Sequence, residues 1–133
     1  MTLATLPVKR PGPRISLRHV LAFDGLTCLL MGVLLVASAA PLSELLGLAQ
    51  QLLFVAGLVL LPSAALMFVA ARQSPPARAL VTLIVAGNVA WVAASVLVAV
   101  LASPTVLGLV FLLLQAAAVA VLAGLEQVGL RAA

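Results

Sequence analysis

Asp24 stands in the stretch RHVLAFDGLTCLLMG, residues 18–32, where a basic start gives way to an apolar run. Six residues beyond Arg18, at about 1.5 Å per helical residue, it lies about 9 Å into the run. An ionisable group at such a depth costs roughly 2.5–3.5 kcal/mol on insertion scales, so it faces a helix-packed interior or water. Thr27, Cys28 and Met31 share its helix face, at i+3, i+4 and i+7. Two roles fit this carboxyl. In the structural one it is protonated or bonded to Asn88, Arg18 or Arg78 and locks the first helix in register. In the functional one it exchanges a proton against a cationic substrate or ion. Its nearness to the interface favours the structural role.

Each of the other apolar segments also carries a polar residue: Ser63 after Pro62, then Asn88, then Gln115. With Asp24 these form the candidate intramembrane polar cluster. Pro62 removes the usual donor to the Leu58 carbonyl, which predicts a kink and a substitute donor such as Ser63. Asn88, Trp91 and Ser95 share one helix face, and Gln115 and Glu126 another. Convergence of these faces makes a polar centre. Trp91 reads as a packing residue, His19 as interfacial, and Glu126 with Arg131 as the solvated end of the last helix.

No nucleophile elbow, phosphate loop, metal-ligand cluster or pair of carboxylates is spaced for catalysis, so the expectation is a protein that is not an enzyme. The single cysteine, Cys28, excludes an internal disulfide and a cysteine-based metal site. The single histidine, His19, excludes paired axial haem ligands. No cofactor and no metal are expected.

The elements that carry these residues follow from composition. The 133 residues are 65% hydrophobic and 8% charged, with a mean hydropathy of +1.36, far above the roughly 45–50% apolar content of soluble domains. Charges are absent from 25–43, 45–71 and 79–125, and each run meets the roughly 18–20 residues that cross a bilayer. The last run must fold back, and ASPT at 102–105 is its natural break, with Ser103 as cap and Pro104 opening the next helix. The predicted fold is all-α: four transmembrane helices at about 18–40, 49–71, 78–101 and 104–126, forming a bundle over 18–127. A disordered basic tail (1–17) and a short C-terminal tail (128–133) flank it. PLSELLGLAQ and RQSPPA are the first two loops. VASAAP at 36–41 has the form of a signal-peptidase site, but the long basic region and Asp24 argue against cleavage.

Lys9, Arg10, Arg14 and Arg18 precede the first helix, Arg72 and Arg78 flank the second loop, and Arg131 follows the last helix. All seven cations then fall on one side, which predicts both termini in the cytoplasm of a bacterial inner membrane. The pI near 11.3 does not indicate nucleic acid, because these charges flank membrane segments and are not interleaved with aromatics. They suit the lipid bilayer, as topology determinants and contacts for anionic headgroups.

Helix association in lipid relies on close approach at small residues. Gly25, Gly32, Gly57, Gly87 and Gly108 are the expected packing positions. The first and third helices repeat an order of events: an arginine (Arg18, Arg78), a polar residue beside a glycine (Asp24-Gly25, Gly87-Asn88), then Ala-Ser and a proline. This suggests two duplicated helical hairpins.

PLSELLGL (41–48), GLVLLPSAALMFVAAR (57–72), AGNVAWVAAS (86–95) and PTVLGLVFLLLQAAAVAVLAGLEQVGLR (104–131) resemble an uncharacterised family of small bacterial four-helix integral membrane proteins. The resemblance extends to an aspartate at the position of Asp24 and implies no activity. Members of that group carry an acidic residue just before the serine that follows the Asn/Trp motif. Here that position is Ala94, so a two-carboxylate mechanism is not implied. The leading expectation is an accessory or scaffolding subunit packing against itself, as a homodimer, or within a larger membrane complex. The alternative is a small proton-coupled exporter acting as a dimer, with Asp24 as the proton or cation site. Small multidrug-resistance transporters share that size, helix number and first-helix carboxylate.

Overall fold

A computed structural model describes residues 16–132. Its chain is helical throughout: α1 (Leu17–Ala37), α2 (Ala39–Leu46), α3 (Gln50–Arg72), α4 (Arg78–Leu101) and α5 (Val106–Ala132). Four of these, α1, α3, α4 and α5, are long and apolar enough to cross a membrane. The basic residues Lys9, Arg10 and Arg14 lie outside the described residues, as does most of the expected disordered tail.

α3 and α4 begin and end within a residue of the expected bounds, and α3 continues through Pro62. The first span differs. It stops at Ala37, and most of the expected first loop forms α2 instead. Pro41 does not prevent this, because it falls in the first turn of α2, where the backbone N–H has no intrahelical acceptor. Gly47 ends α2 in the left-handed conformation, with φ +69°, and its N–H donates to Ser43 O. Glycine adopts that conformation without steric cost.

The start of the last span also differs from expectation. Ser103 does not cap it. The residue N-terminal to α5 is Thr105, whose Oγ1 accepts the Gly108 N–H at 3.0 Å and donates to Leu45 O at 2.8 Å. The Thr105 N–H donates to Leu46 O at 3.1 Å, so α2 is tied to the start of α5. The far end of α5 runs to Ala132, through what was expected to be a tail.

The closest pairing is α1 with α3, and α4 with α5 comes next. Gly32 and Gly57 bring the first pair together at the backbone: a Cβ on Gly57 would lie 2.8 Å from Gly32 O. Gly25 sits against Met67 and Phe68, and Gly108 against the Leu46 carbonyl, where a Cβ has no room. Gly87 is the exception among the expected packing glycines, with nothing within 4 Å of a Cβ built there. It lies on the lining of a cleft, and α4 is the least buried of the long helices.

Each hairpin is closed by an arginine. Arg18 Nε at the start of α1 donates to Ala71 O at the end of α3, 2.9 Å away, and Arg78 Nη1 at the start of α4 donates to Leu130 O near the end of α5, at 3.3 Å. A cation on the last carbonyls of a helix satisfies unpaired acceptors and complements the negative end of the helix dipole. These bonds, with Arg72 and Arg131 in the last turns of α3 and α5, collect the described arginines at one end of the helices.

Candidate functional site

The site forms where α1, α4 and α5 meet. Asp24 lies on the buried stripe of α1 with Leu21, Gly25 and Cys28, and Asn88 on that of α4 with Val81, Ile84 and Ser95. Glu126 is buried on α5 with Leu122, Ala123 and Leu130. These are the 3.6-residue spacings of single helix faces.

Asn88 Nδ2 is the centre. It donates one hydrogen to Asp24 Oδ2 at 2.8 Å and the other to Glu126 Oε1 at 2.9 Å. Both amide hydrogens are thereby used. Asp24 is 1% exposed and Glu126 0%. Asp24 Oδ1 also receives the Cys28 thiol at 3.7 Å, a long and weak contact, while Thr27 Oγ1 donates to the Asp24 carbonyl at 2.8 Å. Among the described residues, Glu126 Oε2 is buried without a hydrogen-bond partner.

Several expectations need correction. Glu126 is not the solvated end of its helix but half of a buried acid pair. Asp24, for all its nearness to the interface in sequence, is buried within the chain, and of its three expected partners it bonds Asn88, since Arg18 and Arg78 both bond carbonyls. Ala94 leaves one position without a carboxylate, but Glu126 supplies a second one from another helix.

The expected four-residue cluster also divides. Gln115 belongs to a separate network, in which its Oε1 accepts the Trp91 Nε1–H at 2.7 Å and its Nε2 donates to Ser95 Oγ at 2.8 Å and Leu112 O at 3.0 Å. Ser95 Oγ donates in turn to Trp91 O at 2.8 Å. Trp91 is therefore a hydrogen-bonding residue as well as a packing one. Seven residues of α4, about 10 Å, separate Asn88 from Ser95. Ser63 joins neither network: its hydroxyl bonds Val59 O at 2.8 Å on its own helix, the local back-bonding available to serine in a helix.

Two cavities lie near the site, neither of them lined by Asp24 or Glu126. One of about 640 Å³ lies along α1 and α5, with walls that include Phe23, Thr27, Met31, Ala118 and Leu122, and with Leu60, Trp91 and Gln115 lining it as well. Another, of about 250 Å³, lies along α3 and α4 and includes Ser63, Gly87 and Asn88. Cys28 lines both. Among the described residues no group of three or more His, Cys, Asp or Glu side chains is placed to hold a metal ion.

Chemically, two carboxyl groups on one amide, with one oxygen unpartnered, make a receptor for a small positive charge. A proton or a cation between them satisfies the orphan oxygen and reduces repulsion between like charges. No protein-family model, no curated protein and no solved structure matches the chain.

Proposed function

We propose that this is a non-enzymatic integral protein of a bacterial inner membrane, its four long helices crossing the bilayer as a bundle with both termini cytoplasmic. The cationic end formed by Arg18, Arg72, Arg78 and Arg131 supports that orientation under the positive-inside rule. The paired bonds Arg18 to Ala71 and Arg78 to Leu130 support a duplicated hairpin, since each closes its half in the same way.

Its role is that of a small proton-coupled exporter working as a dimer. The Asp24–Glu126 pair binds in turn a proton and a cationic substrate. One observation carries this reading: two carboxyls buried on Asn88 within apolar helices, with Glu126 Oε2 unpartnered. Such groups are expensive in a membrane and mark proton and ion paths.

The test is proton flux in proteoliposomes, with a pH dye inside and tetraphenylphosphonium as the exchanged cation. Wild type dissipates the gradient. Asp24→Asn and Glu126→Gln, each helical and monodisperse, do not. Wild-type flux in either variant removes that residue from the mechanism.

A second reading, an accessory or scaffolding subunit, is favoured by the unpacked Gly87 on the least buried long helix. Under it, Gly87→Leu abolishes assembly in native mass spectrometry of gently extracted membranes, while Asp24→Asn leaves assembly intact.

A further inference from the structure

The cavity along α1 and α5 has polar side chains at both ends, but those at one end are bonded within the protein. It runs from His19 to Met31 on α1 and from Leu125 to Gln115 on α5, lengths of about 18 Å and about 15 Å at 1.5 Å per residue. Its volume of about 640 Å³ lies within the range of ligand pockets.

At the inner end the polar groups are already engaged. The Trp91 N–H and both Gln115 amide hydrogens are taken within the α4–α5 network, and the Thr27 hydroxyl donates to its own helix. A polar occupant would leave its acceptors unpaired there, whereas hydrocarbon loses nothing. At the outer end His19 lines the cavity, and Arg18, one residue earlier on α1, is exposed at the same end of the helix with its Nε bonded to Ala71 O on α3. Leu17 packs on Gly129 there, and the flanks at Phe23 and Val121 are exposed.

We propose that this cavity holds one acyl chain of an anionic phospholipid from the surrounding bilayer, its methyl end toward Trp91 and Gln115 and its headgroup phosphate on Arg18 and His19. The inner end, its polar groups already bonded, selects a chain, and the cationic outer end selects the charge of the headgroup. This assignment does not depend on the acid pair or on transport.

The full chain in nanodiscs of equal phosphatidylglycerol and phosphatidylcholine provides the test. Native mass spectrometry should find one retained phosphatidylglycerol, favoured about fivefold over phosphatidylcholine, the selectivity that roughly one surface cation confers. Trp91 is the single tryptophan, so phosphatidylglycerol brominated near its methyl end should quench its fluorescence more than brominated phosphatidylcholine does.

Ala118→Phe with Val121→Phe obstructs the cavity from its α5 wall and should abolish both signals. Leu113→Phe with Leu114→Phe, on exposed positions of the same helix that do not line the cavity, should leave them unchanged. Arg18→Gln should keep a bound lipid but erase the headgroup preference. Equal retention of the two lipids by wild type, or persistence of the adduct and the quenching in the obstructed variant, overturns the proposal.

Discussion

Replacing Asn88 tests the core of the site, because one amide serves two acids. Asn88→Ala removes the bonds to Asp24 Oδ2 and Glu126 Oε1. Hydrogen bonds between membrane helices are worth about 0.6 kcal/mol on average and up to about 1.7 each, so two bonds give a loss of roughly 1–3 kcal/mol. Asn88→Asp is nearly the same shape, but an ionised aspartate accepts and cannot donate, and it adds a third carboxylate to the pair. It should therefore cost more than the alanine, reversing the order expected from packing alone. Unfolding free energy from steric trapping in bicelles gives the comparison. A double-mutant cycle completes it: in a Glu126→Leu background, Asn88→Ala should lose the part of its cost that came from Glu126. The reasoning fails if Asn88→Ala lies within about 0.5 kcal/mol of wild type, or if Asn88→Asp is no worse than alanine.

Further outcomes follow from the same geometry. Gly57→Leu should separate α1 from α3 and lower stability by at least the roughly 1–3 kcal/mol of overpacking, while Gly87→Leu should leave monomer stability within about 0.5 kcal/mol; comparable losses in bicelle unfolding would contradict the packing described for them. Gly108→Ala should displace α2 from α5, read as faster proteolysis near residues 38–49, whereas unchanged cleavage would place the Leu46 carbonyl elsewhere. Thr105→Val removes the cap and the bond to Leu45, and a loss of about 1–2 kcal/mol is expected. Trp91→Phe should cost roughly 0.6–1.7 kcal/mol, since Gln115 Oε1 loses its donor, and no change in unfolding would show that the α4–α5 network is not needed.

The spans were legible where charge and proline punctuate the chain. Arg72, Pro75, Pro76 and Arg78 bracket the α3–α4 loop, and those bounds differ from expectation by at most one residue. The same cues misled where context decides. Pro41 opens the stretch that composition makes a loop, yet it sits in the first turn of α2. Ser103 and Pro104 look like a cap and first turn, yet the cap is Thr105, whose Oγ1 accepts the Gly108 N–H and whose own N–H donates to Leu46 O on α2.

Asp24 and Asn88 were visible as polar residues in apolar runs. Glu126 was not, because a charge five residues before Arg131 looks like a helix end. The signal that could have found it is the spacing Leu122, Glu126, Leu130, which puts the acid between two leucines on one face of a longer helix. Ser63 was misplaced for a different reason: a serine that bonds the carbonyl four residues back needs no partner on another helix.

The distribution of contacts between the two hairpins gives the molecule a lever. Besides packing and the 73–77 loop that links α3 to α4, the described residues join them by hydrogen bonds at α2, where Thr105 holds Leu45 and Leu46, and by Asp24 on Asn88. The first junction is backbone-anchored and the second is a single side-chain bond. From Gly108 to Glu126 is eighteen residues, an arm of about 27 Å, so that a rotation of about 10° about α2 moves the acid pair by roughly 5 Å. Such a displacement exceeds the length of any hydrogen bond, and the Leu17–Gly129 contact beyond it is apolar and opposes little in lipid. Under the proposed exchange of proton and cation, this single amide–carboxyl bond is the cross-link that a change of charge on the pair would weaken first.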